Sequence, residues 1–179
     1  MVTSRRAFLS LLSSPCWLPV LLWPPAPPAL LSAVWFRTPG AGTDEEERLL
    51  EKYLQELTNR QRVSDGLHSL AWHEPLARVA RAHSEDMLAR DFFGHRDPDG
   101  AGPGERLARQ GLKLSAWAEN VYELTNGPTD PKAVAASVFR GWMRSSGHRH
   151  NILGSRFRYI GIGAASRDDQ VAVTQLFGA

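Results

Sequence analysis

The first amphipathic pattern in the chain follows Thr43. Thr43 and Glu46 form a capping box, an arrangement that begins many helices. Apolar residues then recur every three or four positions, as they do on one face of a helix. These apolar residues are Leu49, Leu50, Tyr53, Leu54 and Leu57. The pattern predicts a helix that ends near Arg60.

Two further segments repeat this pattern, and each begins at a proline. One covers residues 75 to about 91, where Pro75 occupies the first helical turn, a position that does not need its missing N–H. The other follows Asp130, an N-cap residue, with Pro131 at its first position. Between them, the glycines, prolines and aspartates of residues 94–105 predict a loop, and a brief helix follows that ends at Gly111. The sequence therefore predicts three long helices and one short helix.

The pattern changes to β-type runs at the end of the chain. "YIGIGAA" and "QVAVTQLF" are separated by the polar turn "SRDDQ", which predicts an antiparallel hairpin. Residues 116–124, "AWAENVYEL", fit a strand or a helix, and the pattern does not decide between them. Helices therefore come first and an antiparallel pair last, which indicates a single α+β domain.

The N-terminal segment differs in composition from the rest of the chain. Arg5 and Arg6 precede an apolar run that continues to Trp23, and no acidic residue occurs before Asp44. This layout is typical of a bacterial export signal, and the paired arginines indicate the twin-arginine route. Prolines interrupt the run, so a cleaved leader is favoured over a retained membrane anchor, which stays the alternative. We predict an export signal in residues 1–33 with an open cleavage site, a linker in 34–43, and an extracytoplasmic (periplasmic or secreted) domain in 44–179.

Charge and cysteine content exclude several classes of function. The chain has 21 Lys+Arg and 19 Asp+Glu, and without Arg5 and Arg6 the two counts are equal at 19. A nucleic-acid partner is therefore not expected, and a membrane is a partner only if the N-terminal segment is retained. The only cysteine, Cys16, lies in that segment, so the predicted domain has neither disulfides nor thiol chemistry.

Four polar residues are candidates for a functional site: His95, Glu119, Ser145 and His148. His95 follows two phenylalanines that would anchor its loop. Glu119 stands among apolar residues, and a carboxylate there must be exposed or paired because burying it alone is costly. His148 lies at a predicted helix start, and His150 would point about 200° away on that helix, so the two histidines cannot serve one site.

Other polar residues have structural interpretations. His83 falls on the apolar face of the second helix and is expected to be packed and hydrogen-bonded. Asn120 and Asn151 are expected to satisfy backbone groups in loops near the site. The histidines expected to be solvated are His68, His73 and His150.

Four motifs, in this order, resemble the bacterial branch of the CAP superfamily, the SCP domains of cysteine-rich secretory, antigen 5 and pathogenesis-related 1 proteins. They are "FFGH", "ENV", "GWMRSSGHRHNIL" and "YIGIG" with "TQLFG", and the likeness covers residues 49–178. The resemblance implies a three-layer α-β-α sandwich with a central antiparallel sheet and a cleft that holds a His-Glu-Glu-His tetrad. By motif, His95, Glu119 and His148 match the first histidine, the first glutamate and the second histidine. The second glutamate falls on Ser145, where this chain departs from the pattern.

The resemblance also implies two options for the chemistry of the cleft. His95, Glu119 and His148 would form a divalent-metal site, and zinc suits its imidazoles, as in relatives that bind zinc through two histidines. The other option is a hydrogen-bonded polar cluster that organises the cleft wall and requires no cofactor.

An exported binding or interaction module is the function that the resemblance favours. Its ligand would be a lipid or other small apolar molecule, a peptide, or a component of the cell envelope. The alternative is a metal-dependent hydrolase of peptide or cell-wall material that uses Glu119 and His148. A serine hydrolase is less favoured because no "GxSxG" elbow presents Ser145 or Ser146, and one of these serines is expected to cap the helix of His148. Binding is therefore preferred over enzymatic activity.

Overall fold

The computed structural model describes residues 44–179. Its helices are α1 (Asp44–Ser64), α2 (Glu74–Ala89), α3 (Pro103–Arg109), α4 (Pro131–Arg144) and α5 (Ser146–Ile152). Its strands are β1 (Ala71–Trp72), β2 (Trp117–Thr125), β3 (Tyr159–Arg167) and β4 (Gln170–Gly178). The predicted export signal (1–33), the linker (34–43) and the cap at Thr43 lie outside the described residues.

The three predicted long helices are confirmed as α1, α2 and α4. Helix α1 continues about one turn beyond the predicted end, to Ser64. The carboxylate of Asp130 caps α4 as predicted, because it accepts a hydrogen bond of 2.9 Å from the backbone N–H of Ala133. The short helix is confirmed as α3 and ends at Arg109, two residues before the predicted end. No helix between residues 44 and 179 is both long enough and apolar enough to cross a bilayer.

The ambiguous segment around Glu119 is a strand, β2, and it completes a four-stranded sheet. The strand order is β1-β3-β4-β2. Strands β3 and β4 form the predicted antiparallel hairpin, and β2 pairs antiparallel with β4 along its whole length. The predicted central antiparallel sheet is confirmed in these three strands, and the short strand β1 is added at its margin, where it pairs parallel with β3 over two residues.

Helices cover both faces of the sheet, so the α-β-α sandwich is confirmed. Side chains that alternate along a strand point to opposite faces. On one face, α1, α4 and α5 pack on the sheet through buried residues that include Leu54, Val138, Trp142, Ile152, Ile160 and Phe177. On the other face, α2 and α3 bury Leu76, Ala80, Leu107 and Leu176.

Two glycines of β3 bring α2 unusually close to the sheet. A β-carbon at Gly161 would collide with the backbone of Leu76 and Ala77, and one at Gly163 would collide with the backbone of Arg81. The Ser84 hydroxyl of α2 uses this proximity and donates a 2.9 Å hydrogen bond to the Gly163 carbonyl. The close approach sets the height at which α2 and the following loop lie above the sheet.

Strand β2 forms one edge of the sheet, and helices α4 and α5 lie against that edge. The Trp142 indole Nε1 donates to the Val121 carbonyl at 3.2 Å. The Asn151 side-chain amide donates to the Glu119 carbonyl at 3.2 Å. The edge beside Glu119 therefore has its outward carbonyl groups occupied by side chains of the helical layer.

Candidate functional site

Glu119 is buried near the start of β2 and is held through both carboxylate oxygens. Its Oε1 lies 2.8 Å from Nδ1 of His95, and its Oε2 accepts a 2.8 Å hydrogen bond from Nη2 of Arg106. A carboxylate oxygen accepts hydrogen bonds, so Nδ1 of His95 donates its proton to this contact. The described contacts give His95 Nε2 no partner, and half of the side chain is exposed. The predicted association of His95 with Glu119 is present.

Arg106 in α3 is a component of this cluster that sequence reasoning missed. Its side chain is only 10% exposed, and its Nη1 donates to the carbonyls of His95 and Ala101, both at 3.0 Å. One guanidinium thus neutralises Glu119 and fixes the backbone of His95. From the sequence, Glu119 is expected to be paired if it is buried, and it is paired. That expectation could not indicate which basic residue supplies the charge.

His148 lies on α5 and is half-buried. Burial, and to a smaller degree the charge of His95, lowers the pKa of the His148 imidazole. The two histidines therefore lie within electrostatic range of each other, although His95 belongs to the loop between α2 and α3 and His148 to α5. A lowered pKa keeps His148 neutral near pH 7, which is the form that accepts hydrogen bonds or binds a metal.

A buried amide network ties α5 to the sheet beneath it. The Asn120 amide donates to the His148 carbonyl at 3.2 Å and to the Gln175 side chain at 3.0 Å. The Asn151 amide donates to the Asn120 side-chain oxygen at 2.9 Å, and Gln175 continues the chain of bonds to Thr58 of α1 at 2.9 Å. The two asparagines do satisfy backbone groups, as predicted, but the prediction of loops is wrong because these groups belong to a helix and a strand.

Ser145 connects α4 to α5 and occupies the N-cap position of α5. Its carbonyl accepts a 2.9 Å hydrogen bond from the N–H of Arg149, but its side chain makes no capping bond. Ser146 is the first residue inside the helix, so the expected side-chain cap is wrong. No hydrogen bond joins either serine to His148 among the described contacts. The role of Ser145 in the cleft stays a prediction.

The other histidines mostly follow their structural interpretations. His83 is buried, as predicted, and its Nε2 lies 2.9 Å from the Gly94 carbonyl. His68 and His150 are exposed. The prediction for His73 is wrong, because its ring is half-buried and accepts a hydrogen bond from the N–H of Leu76 at 3.3 Å to cap α2.

A closed metal centre is not evident in the part of the chain that the structure describes. No group of three or more His, Cys, Asp or Glu residues there is placed to hold a metal ion. The Glu119 side chain is only 2% exposed and each oxygen already accepts a hydrogen bond, so the more accessible donor atoms for a metal are His95 Nε2 and the His148 imidazole. The metal-binding set of His95, Glu119 and His148 stays a prediction.

A family model and a curated relative both resemble this chain in sequence. Residues 55–177 match a family model described as CAP: Cysteine-rich secretory protein family. The uncharacterized protein YkwD of Bacillus subtilis is 36% identical over 113 residues, which are 63% of this chain and 41% of that relative. The chain therefore spans less than half of this relative's length.

Solved structures show the same fold. An extracellular protein containing an SCP domain from Bacillus anthracis aligns with a TM-score of 0.62 and 32% identity, over 74% of this chain and 41% of the other. An outer surface protein of Borrelia burgdorferi aligns with a TM-score of 0.61 and 19% identity, over 76% of this chain and 93% of the other.

Proposed function

Because this chain belongs to the CAP family of cysteine-rich secretory proteins, we propose that it acts outside the cytoplasm as a binding or interaction module. Its ligand occupies the cleft between His95 and His148. The observation that carries this proposal is the pairing of Glu119, whose two oxygens are held by His95 and Arg106. The carboxylate is thereby a fixed part of the cleft wall.

This pairing favours binding over hydrolysis. A general base or a metal ligand must offer a lone pair to the reacting water or to the metal. The Glu119 side chain is only 2% exposed, and each of its oxygens already accepts a buried hydrogen bond, so its remaining lone pairs have little access to a water or metal in the cleft. The groups that would face the cleft instead are the two imidazoles, with Nε2 of His95 given no partner by the described contacts, which suits hydrogen-bonded recognition of a polar ligand group.

Imidazole NMR signals of His95 and His148 provide the test. We expect them to shift when one of three probes is titrated: soluble peptidoglycan fragments, lysophosphatidylglycerol below its micelle concentration, or a mixture of tetrapeptides. His95→Ala and His148→Ala should abolish binding of that probe. His150→Ala, an exposed residue on the same helix, is the matched control and should bind normally. A panel that leaves both signals unchanged would contradict the proposal.

The second candidate is a metal-dependent hydrolase, and one contact favours it. A histidine that binds a metal through one ring nitrogen commonly donates its other N–H to a carboxylate, as His95 does to Glu119. The described residues fit a divalent metal through two imidazoles only, with Glu119 orienting one of them. When bound, zinc would lower the pKa of a coordinated water to about 7.

Zinc titration followed by calorimetry distinguishes the two candidates. Heat that is lost in His95→Ala and in His148→Ala establishes the metal site, and no heat in the parent protein removes it. Turnover of peptide and ester substrates is then measured with zinc and with EDTA. Metal-dependent turnover that disappears in His148→Ala would replace the binding module with the hydrolase.

Export by the twin-arginine route is part of the proposal. The similar Bacillus anthracis protein is described as extracellular, and Arg5 and Arg6 precede an apolar run here. Changing both to lysine, Arg5→Lys with Arg6→Lys, should leave the protein in the cytoplasmic fraction of an expressing bacterium. Normal export of this variant would refute the route but not the binding function.

A further inference from the structure

We propose that a second site binds a small amphipathic amine, in which an ammonium group is attached to an aliphatic chain. This site, the acidic pocket, lies between the first turns of α1 and α4, the end of β2 and the β3–β4 turn. Its four acidic residues are Glu46, Glu47, Asp168 and Asp169. The inference is independent of the function proposed for the cleft.

The acidic pocket has the size and the lining of a small-molecule site. Its volume is about 580 Å³, and its apolar side chains include Leu50, Leu124, Val134 and Val171. Ligand pockets of about 300–1,000 Å³ are typical, and most are lined largely by apolar side chains. Leu50 and Val134 are almost fully buried, so the floor is part of the packed core. An aliphatic chain is the ligand part that such a floor accommodates.

The acidic pocket is separate from the cleft. Leu124 follows Glu119 by five residues on β2, a distance of roughly 17 Å along an extended strand. An odd number of residues also places the two side chains on opposite faces of the sheet. A ligand at Leu124 therefore does not contact the His95 cluster.

Electrostatics select a cationic head group. No Lys, Arg or His residue is found among the described residues that line the pocket, whereas four carboxylates are. Burial, followed by smaller effects of the Asp44 and Glu85 charges, raises the pKa of Glu47, and only the hydrogen bonds from Ser166 oppose this. Because the charged residues that line the pocket are all acidic, they would repel a fatty-acid carboxylate and attract an ammonium group.

Glu47 is oriented in advance to receive the cation. Its Oε1 accepts hydrogen bonds from the N–H of Ser166 at 2.8 Å and from the Ser166 hydroxyl at 2.7 Å. The described contacts give Oε2 no donor. A half-buried carboxylate that is fixed through one oxygen and open at the other is a suitable partner for a charge-assisted hydrogen bond from an amine.

Three probes with one chain length separate charge from hydrophobicity: octylamine, octanol and octanoate, titrated into the full chain at pH 7 by calorimetry. We expect octylamine to bind about tenfold more tightly than octanol because of its charge-assisted contact, and octanoate to bind least. Glu47→Gln keeps the acceptor for Ser166 and should weaken octylamine about tenfold, with little effect on octanol. Glu45→Gln removes an exposed charge from the same turn without lining the pocket, and it should change binding less than twofold.

A cavity-filling variant tests the location. Val134→Trp should abolish octylamine binding while circular dichroism shows a folded protein, and if it does not fold, Glu47→Gln still decides the question. Octanol or octanoate binding as tightly as octylamine would overturn the proposal. So would the absence of octylamine binding, or an unchanged affinity in Glu47→Gln. His95→Ala should bind octylamine normally, which separates this result from any failure at the cleft.

Discussion

At the residue scale, the charge of Arg106 is what allows Glu119 to be buried. The pair is almost completely removed from water, with exposed side-chain fractions of 10% and 2%. Taking away one member of such a pair leaves an uncompensated buried charge, which is far more destabilising than replacing both members. The cluster of His95, Glu119 and Arg106 is therefore needed for the stability of the domain, and it is also a candidate site.

Arg106→Met tests this dependence directly. We expect the free energy of unfolding to fall by about 3 kcal/mol, measured by urea denaturation, because Glu119 loses its charged partner. Arg109→Met, an exposed position in the last turn of the same helix, is the control and should change stability by less than about 0.5 kcal/mol. An equal fall in the free energy of unfolding of both variants would show that the buried ion pair does not stabilise the domain more than an exposed charge does.

His83 predicts how stability depends on pH. Burial lowers the pKa of its imidazole in the folded protein; the charge of Arg106 acts in the same direction, and that of Glu119 opposes it. The unfolded chain, with an ordinary histidine pKa of about 6.5, then binds the extra proton first as pH falls. The stability that the neutral, buried His83 contributes is therefore fully present above about pH 6.5. Below that pH this contribution falls, by at most about 1.4 kcal/mol per pH unit for each such histidine.

The measurement is urea unfolding at pH 7.5, 6.5 and 5.5. The parent protein should lose stability over this range, and His83→Gln should lose less because one of the two neutral histidines is gone. His148, whose pKa is lowered in the same direction, supplies the remaining slope. Identical slopes in the two proteins would rule out His83 as a source of the pH dependence.

The sequence identified the candidate cleft residues more readily than the residues that contact them. His95 and Glu119 stand in recognisable motifs, and their contact is present in the structure. Arg106 could not be selected, because its role depends on how α3 is placed beside β2, which no local pattern encodes. The cap expected from a serine before His148 is wrong for a related reason: the tight junction of α4 and α5 lets the Ser145 backbone, rather than its hydroxyl, begin the helix.

At the element scale, helices were predictable because their signals are local. Capping residues and apolar periodicity lie within the helix itself, as at Asp130 in α4. Strand β2 was ambiguous because its identity depends on pairing with β4, some 50 residues away. The two-residue β1 was missed because so short a strand carries no alternation and exists only through its pairing with β3.

Close packing of α2 on β3 gives a prediction for the glycines between them. Gly163→Ala places a methyl group against the backbone of Arg81, which cannot move aside without shifting the helix. We expect a loss of about 3 kcal/mol or more in the free energy of unfolding, measured by urea denaturation. Gly147→Ala, in helix α5 with no atom near the added group, should be neutral or stabilising by up to about 1 kcal/mol. A tolerated Gly163→Ala would mean that the two layers are not tightly packed.

At the scale of the whole molecule, the family resemblance predicted the three α-β-α layers. It did not predict the order of the strands within the sheet. Sequence patterns alone indicated an α+β domain. The four motifs implied three layers, which the structure shows. The position of Glu119 on an edge strand of the sheet follows from the order β1-β3-β4-β2. That order is set by long-range packing, which a single sequence does not display.

With a single cysteine, the chain cannot form an internal disulfide. Its single cysteine, Cys16, lies outside the described residues, and residues 44–179 contain none. The domain is therefore held by packing, hydrogen bonds and ion pairs, with no disulfide within residues 44–179. We expect its melting temperature, measured by scanning calorimetry, to be the same with and without a reducing agent. A lower melting temperature under reduction would reveal a covalent link that the sequence does not provide.

The occupied edge of β2 has a consequence for the protein's behaviour among other polypeptides. Exposed sheet edges act as templates on which a foreign strand can add, and they are common starting points for aggregation. Here Trp142 and Asn151 take up outward carbonyls on one margin. On the opposite margin β1 is only two residues long, and beyond it glutamates of α1 accept from the N–H groups of Ala164 and Ser166 on β3. A neighbouring chain therefore finds little extended backbone to copy, so this domain should resist amyloid-like stacking even where it accumulates to high local density.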